Sequence, residues 1–203
     1  DDNKFYQLNA SNVSQMIASY VTGNNVYSSP AVVNGYVYVG SVDNIIYQFN
    51  ASNVSQMIAS YITGDQIWSS PAVANGFVYI GSDDNKVYQL NASNVTQLIA
   101  SFITGDNVYS SPAVWNGYVY VGSNDGKLYQ LNASSVSQLI ASYITGSDVQ
   151  SSPSVANGLV YISSVDNQTY QLNATNISHK IANFTTGGSV RSSPAVANGY
   201  VYI

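Results

Sequence analysis

Five prolines set the frame of this chain. Pro30, Pro71, Pro112, Pro153 and Pro194 follow one another at a fixed step of 41 residues. Each sits in the same phrase, Ser69-Ser70-Pro71-Ala72-Val73-Ala74-Asn75-Gly76-Phe77-Val78-Tyr79-Ile80-Gly81-Ser82 in its second copy. The phrase returns at 28–41, 110–123 and 151–164 and is cut short at 192–203. A period near 40 with no insertion means one supersecondary unit written repeatedly, whose copies bury their apolar faces against each other.

One unit, read from Ile67, predicts four strands, here termed A to D. Ile67 to Val73 is a short strand carrying a proline, which cannot donate to a ladder and so belongs at an edge. Asn75-Gly76 is a hairpin turn, because both residues tolerate positive φ. Phe77 to Ile80 is apolar on both faces, as in a strand buried on both sides. Gly81 to Asn85 is a polar turn. Lys86 to Leu90 alternates and forms the third strand. Asn91 to Gln97 reads as a polar loop, Leu98 to Thr104 as the fourth strand, and Gly105-Asp106 as the turn into the next copy. Four antiparallel strands per 40-odd residues are the pattern of an all-β propeller with four-stranded blades. Strand A would line the central channel and strand B would lie between blades.

The register at the termini splits one blade. Residues 1–22 hold only strands C and D. Full blades follow at 26–63, 67–104, 108–145 and 149–186, and residues 190–203 supply only A and B. Five repeats of 41 residues result, with one blade divided between the termini. Three arrangements are open: closure of the two halves into a five-bladed ring within one molecule, pairing of the halves between molecules into a head-to-tail polymer, or an excerpt from a longer array. The chain opens in mid-repeat, so its natural N-terminus is left open.

Charge excludes one class of partner. Only 7% of residues are charged, against a usual share of about 25%, and the net charge is −5. No basic groove is available to neutralise phosphates, so no nucleic-acid partner is expected. No apolar run reaches the roughly 18 residues of a membrane span. Cysteine is absent, which removes disulfides, thiolate metal sites and a cysteine nucleophile.

The recurring Ser-Ser-Pro-Ala-Val, Asn-Gly, Val-Tyr-Val-Gly-Ser and Tyr-Gln-Leu-Asn-Ala resemble the pyrroloquinoline-quinone-like β-propeller repeat, over nearly the whole chain. The resemblance implies a propeller. It leaves activity open, because that family joins quinoprotein dehydrogenases to non-enzymatic binding and scaffold propellers. The chain departs from the family in two places. The usual Thr-Gly turn is replaced by Asn12-Val13, Asn53-Val54, Asn94-Val95, Ser135-Val136 and Asn176-Ile177. The usual blade-docking tryptophan is replaced by Ala18, Ala59, Ala100, Ala141 and Ala182. The adjacent cysteines of alcohol-oxidising relatives are missing. No catalytic residue, metal ligand or cofactor is therefore assigned.

Three sets of residues are candidates for function. The acceptor pattern Asn-x-Ser/Thr occurs at Asn9, Asn12, Asn50, Asn53, Asn91, Asn94, Asn132, Asn167, Asn173, Asn176 and Asn183, chiefly in the C–D loops. Glycans there would supply the hydration that charges do not. The acids, all aspartate, fall in the D–A turns (Asp65, Asp106, Asp148) and the B–C turns (Asp43, Asp83, Asp84, Asp125, Asp166, with Asp1 and Asp2). These two turn types emerge on the same face of a propeller, so the acids should crowd there, either as a surface for a cation such as calcium or a cationic partner or simply because Asp suits turns. The position before each Ser-Ser-Pro varies as Tyr27, Trp68, Tyr109, Gln150 and Arg191. This ring at the channel mouth could bind a sugar or other small ligand, or simply pack. His179 stands alone and reads as a surface residue, Trp115 reads as a loop-tip aromatic, and the paired serines read as partners of backbone groups.

The expected function is a non-enzymatic, N-glycosylated extracellular or cell-surface module with a structural or assembly role. Its expected partners are other copies of itself, through terminal strand pairing, or other surface proteins or glycans. The alternative is a ligand- or glycan-binding adhesion propeller using the aromatic mouth. A quinone-dependent enzyme is the remote third reading.

Overall fold

The computed structural model describes residues 2–203 and contains twenty strands. The chain begins with a hairpin, β1 (Lys4–Asn9) and β2 (Asn12–Val21). Four blades follow. The first is β3 (Ala31–Val33), β4 (Tyr36–Gly40), β5 (Ile45–Asn50) and β6 (Asn53–Ile62). The second is β7 (Ala72–Ala74), β8 (Phe77–Ser82), β9 (Lys86–Asn91) and β10 (Asn94–Ile103). The third is β11 (Ala113–Trp115), β12 (Tyr118–Ser123), β13 (Lys127–Asn132) and β14 (Ser135–Ile144). The fourth is β15 (Ser154–Ala156), β16 (Leu159–Ser164), β17 (Gln168–Asn173) and β18 (Lys180–Thr185). A last hairpin, β19 (Ala195–Ala197) and β20 (Tyr200–Tyr202), ends the chain. Every blade is an antiparallel meander in sequence order.

The expected four-stranded unit is present, with two boundaries moved. Strand A is only three residues and begins after the proline. Ile67 to Pro71 lies outside the ladder, because Pro71 has no N–H to give and its neighbours bond elsewhere, the Ile67 N–H to the Ser41 carbonyl at 3.2 Å and the Ser70 N–H to Ser111 Oγ at 2.9 Å. Strand D starts at Asn94, earlier than expected, and the C–D connection is a two-residue turn. Polar residues pair here because asparagine side chains complete the turn: Ser93 N–H donates to Asn91 Oδ1 at 2.8 Å and Thr96 N–H to Asn94 Oδ1 at 3.1 Å. Two register shifts between Asn94 and Ala100 absorb the extra residues as bulges. The Asn-Gly turns have positive φ at both positions, +51° at Asn75 and +80° at Gly76, as a type I′ hairpin requires.

The core lies between blades, not within them. Tyr38, Ile46 and Ala59 of the first blade pack with Ile67, Val78, Ile80, Leu90 and Val95 of the second. The same cluster recurs between the second and third blades and between the third and fourth. The N-terminal hairpin docks Phe5, Ala18 and Tyr20 on Val37, Val39, Phe49 and Val54. A blade is thus stable only against a neighbour, as in any linear array.

The two half-blades are not joined within the molecule. β1–β2 and β19–β20 remain separate two-stranded sheets, so of the three arrangements left open by the sequence, closure into a five-bladed ring within one molecule is not formed.

Candidate functional site: the blade seam and its open ends

Identical polar bonds lock each seam. Gln89, fully buried, donates from Nε2 to the Ala133 carbonyl at 3.1 Å and accepts from the Val136 N–H at 3.0 Å. Gln48 does the same with Ala92 and Val95, and Gln130 with Ala174 and Ile177. Gln7 reaches Ala51 and Val54 from the N-terminal hairpin. The alanine carbonyl takes a second donor. Tyr79 OH reaches Ala133 at 2.5 Å, and Tyr38 and Tyr120 make the same bond to Ala92 and Ala174. Burial pushes the Tyr38 and Tyr79 hydroxyls up to about 12, so they stay protonated donors at any physiological pH.

The serines of Ser-Ser-Pro serve the backbone, as expected. Ser69 Oγ accepts from the Gly81 N–H at 3.1 Å inside its blade. The second serine links blades: Ser29 N–H donates to Ser70 Oγ, Ser70 N–H to Ser111 Oγ, Ser111 N–H to Ser152 Oγ and Ser152 N–H to Ser193 Oγ.

The aspartates divide into two roles. Asp43, Asp84, Asp125 and Asp166 hold the connection entering their own blade, through the N–H groups of Gly23, Gly64, Gly105 and Gly146 at 2.6–3.0 Å. Each also accepts from a tyrosine of the next strand, as Tyr47 does to Asp43 at 2.7 Å. These are structural anchors. Asp83 differs. Its Oδ1 is buried without a hydrogen bond, as is that of Asp84, but its carboxyl makes none of the glycine and tyrosine bonds that anchor Asp84. Burial raises its carboxyl to about 6, with Asp65 and Asp84 adding to the rise and Trp68 opposing it. Asp1 lies outside the described residues. Among the described residues no three His, Cys, Asp or Glu side chains gather around a metal position.

Asp83 has a measurable signature. Its folded value stands above the ordinary carboxylate value of 3.8, so the fold favours the protonated form. The stability that this one group contributes is greatest at low pH and declines as pH rises from about 4 to 6. The third blade carries Asn124 at the equivalent position. Asp83→Asn should raise Tm by roughly 2–4 °C at pH 8, the effect of about 1 kcal/mol in a chain of this size after allowing for solvent screening of the more exposed oxygen. At pH 4 it should leave Tm unchanged. Thermal melts at the two pH values check this.

Three members of the variable ring meet. The rings of Tyr27 and Trp68 stack at 4.5 Å with an interplanar angle of 6°, and Trp68 meets Tyr109 edge-on at 6.1 Å. Tyr27 and Trp68 thus occupy each other's facing planes, while their outer surfaces remain exposed. Gln150 turns to Asp148 at 3.4 Å, and Arg191 is exposed. His179 is exposed in the last C–D turn. Trp115 is half-buried at the end of β11 and packs on the cluster around Tyr120. It belongs to the seam, where the sequence reading had placed it at a loop tip.

None of the acceptor asparagines is buried. In the C–D turns the Oδ1 of Asn9, Asn12, Asn50, Asn53, Asn91, Asn94, Asn132, Asn173 and Asn176 accepts from the N–H two residues on. Asn167, at a φ of +70° in a B–C turn, and Asn183 in β18 lie apart from this set. The amide nitrogens differ. Those of Asn9, Asn91 and Asn132 donate to Gln15, Gln97 and Gln138. Asn183 donates to Gln168.

The two ends expose what every seam buries. Val13 is 71% exposed, while its counterparts Val54, Val95, Val136 and Ile177 are at 0–2%. Tyr202 is 56% exposed against 0–1% for Tyr38, Tyr79 and Tyr120. Tyr6, Leu8, Val201 and Ile203 are exposed in the same way. Sequence reasoning flagged the free terminal strands. It missed the glutamine–tyrosine–alanine lock, although the recurrence of Tyr-Gln-Leu-Asn-Ala at every seam was a usable signal.

Comparison with known proteins agrees with the architecture. A family model described as outer membrane protein assembly factor BamB matches residues 103–203. No curated protein matches the sequence. Among solved structures, the computationally designed Ika8 protein aligns with a TM-score of 0.80 at 14% identity, over 92% of this chain and 57% of that one. BamB from Moraxella catarrhalis aligns with a TM-score of 0.78 at 12% identity, over 94% of this chain and 58% of that one. The chain therefore spans less than two thirds of the solved propellers it matches. Among the described residues no helix is long and apolar enough to cross a membrane. In its repeat along the whole length, in its fold, and by family model over residues 103–203, the chain resembles the pyrroloquinoline-quinone-like β-propeller repeat family.

Proposed function

We propose that this chain is a non-enzymatic protein-interaction and assembly module of the cell exterior, carrying N-linked glycans. The observation that carries the reading is the repeated seam. The same glutamine–alanine lock joins the N-terminal hairpin to the first blade and each of the four blades to the next. Identical units suit multivalent contact better than a single asymmetric reaction centre. The likeness to a family named for outer membrane protein assembly lends support from the side of fold. Light scattering across a concentration series, with electron microscopy of native material, tests it. Growth of mass with concentration, or capture in a larger surface assembly, is the expected result. A monodisperse monomer free of partners counts against it.

The acceptor geometry supports glycans on particular asparagines. The Ser or Thr hydroxyl two residues on bonds directly to Oδ1 of Asn12, Asn50, Asn53, Asn94, Asn173 and Asn176, at 2.6–2.9 Å. Their amide nitrogens are not spent on a glutamine. Peptide mass spectrometry of native material should find glycan on Asn53 and Asn94 and little on Asn91 and Asn132, whose nitrogens donate to Gln97 and Gln138. The reverse pattern, or no glycan mass, removes this part of the reading.

A further inference from the structure

We infer that a cavity between the first and second blades binds a small neutral aromatic molecule of one or two fused rings, of which indole is the type. The cavity has a volume of about 150 Å³ and lies where the β3–β4 and β7–β8 turns meet the β9–β10 turn. Val33, Tyr36, Tyr38 and Val73 form its walls, and the exposed Asn34, Asn75 and Ser93 form its rim. Both flanking blades are complete four-stranded sheets, and no residue of either terminal hairpin lines the space. A space of this size suits a single ring system, since pockets for drug-sized ligands begin at roughly 300 Å³.

The repeat itself shows what fits there. Two units further on, the counterparts of Val33, Tyr36, Tyr38 and Val73 are Trp115, Tyr118, Tyr120 and Val155. These four pack together in the seam between the third and fourth blades. The paired tyrosine rings are set alike in the two seams. Tyr36 and Tyr38 lie 6.4 Å apart at 56°, and Tyr118 and Tyr120 lie 6.3 Å apart at 61°. The Tyr38 and Tyr120 hydroxyls bond to equivalent carbonyls, those of Ala92 and Ala174. The strand register is also the same, with Val33 facing Tyr36 as Trp115 faces Tyr118. The side chain is what differs: an isopropyl group stands in the first blade where an indole stands in the third. The cavity is the room that the smaller side chain leaves, and its walls are those that hold an indole elsewhere in the same molecule.

The lining selects the chemistry of the occupant. Apolar and aromatic walls favour a flat ring that leaves water on binding. Tyr38 is buried and its hydroxyl is committed to Ala92, so it presents ring carbon to the space. No lining residue is charged, and an ionised ligand would lose its hydration with no counter-ion to meet it. Asn34 and Asn75 stand at the mouth in positive-φ hairpin positions, at +51° each. Their side-chain amides can accept from an N–H or hydroxyl at the edge of a seated ring. Tight hairpins hold both sides of the mouth, so the site is formed before the ligand arrives.

Methyl NMR of the full chain titrated with indole tests this. Saturable shifts at Val33 and Val73 are expected, with a Kd of roughly 0.1–1 mM for a ligand of about nine non-hydrogen atoms in a preformed apolar site. Val33→Trp supplies the indole from the chain itself, as Trp115 does, and should abolish the saturable shift at Val73. Trp115→Val makes the reverse change and should add a second set of saturable shifts, at Val155. Melting curves verify the fold of each variant, and either one decides the matter if the other fails to fold. No saturable shift up to the solubility limit of indole would overturn the inference. So would shifts centred away from Val33 and Val73, binding undiminished by Val33→Trp, or no second site in a folded Trp115→Val. Binding of a tryptophan-bearing peptide without binding of free indole would also overturn it, since that result assigns the cavity to a partner's side chain.

Discussion

Gln130→Leu is expected to cost about 3 kcal/mol, lowering Tm by roughly 6–12 °C in a chain of this length. The side chain is fully buried. It donates to the Ala174 and Thr175 carbonyls at 3.1 and 3.3 Å and accepts from the Ile177 N–H at 3.2 Å. Leucine matches it in size and leaves those backbone groups in a closed seam. The Ala174 carbonyl keeps Tyr120 as a donor, whereas the Ile177 N–H keeps nothing. Replacing the partner groups is impossible because they are main chain, so the loss has no side-chain remedy. The parallel change at Gln171, which is only half-buried, should cost less than about 1 kcal/mol. The contrast between two glutamines of the same motif is the measurement, made by thermal or chemical denaturation.

Gly122→Ala is the second large effect. A Cβ built at Gly122 would lie 2.4 Å from Val149 Cγ1 and 2.6 Å from the Val149 carbonyl oxygen. The first contact could be relieved by moving a side chain; the second is backbone of the next blade. The seam must open or the strand must shift, at a cost of about 2–3 kcal/mol. Gly81 meets the Val108 side chain and carbonyl in the same way, whereas Gly40 meets side chains only, Ile67 Cγ2 at 2.3 Å being the nearest. The fourth blade carries Ser163 here, at the last seam, where the facing Val190 is the least buried of its set. Adding Val149→Ala to Gly122→Ala should recover part of the loss but not all of it, since only the Cγ1 contact disappears. A double-mutant cycle on chemical denaturation reads the coupling.

Much of the fold was legible because its signals are local. Asn75-Gly76 specifies a hairpin whatever surrounds it, and the proline period sets blade number. Strand A was read too long because apolar Ile67 and Trp68 resemble a strand. They are apolar for another reason: Ile67 fills the interblade cluster and Trp68 stacks on Tyr27. Strand D was read too short because Asn94 and Thr96 look like loop residues, although their side chains complete a turn that leads straight into the ladder. The seam lock was harder to see. In an alternating strand such as Lys86 to Leu90, glutamine reads as the solvent-facing residue, and only the neighbouring blade makes Gln89 interior. Ring closure was illegible for a similar reason. Repeat arithmetic counts strands, while the angle between blades is set by contacts such as Gly81 against Val108, which have no counterpart in the letters.

The side-chain bonds of the glutamine–tyrosine lock and of the serine ladder join residues 41, 44, 45, 47 and 54 positions apart. Each spans one unit and its successor, and none reaches further. Duplicating or deleting a whole 41-residue unit in the gene therefore leaves every remaining junction chemically intact. Copy number can drift without a folding penalty, whereas an insertion of a single residue within a unit displaces that lock. Such a chain can vary freely in reach while its junction chemistry stays under strict selection.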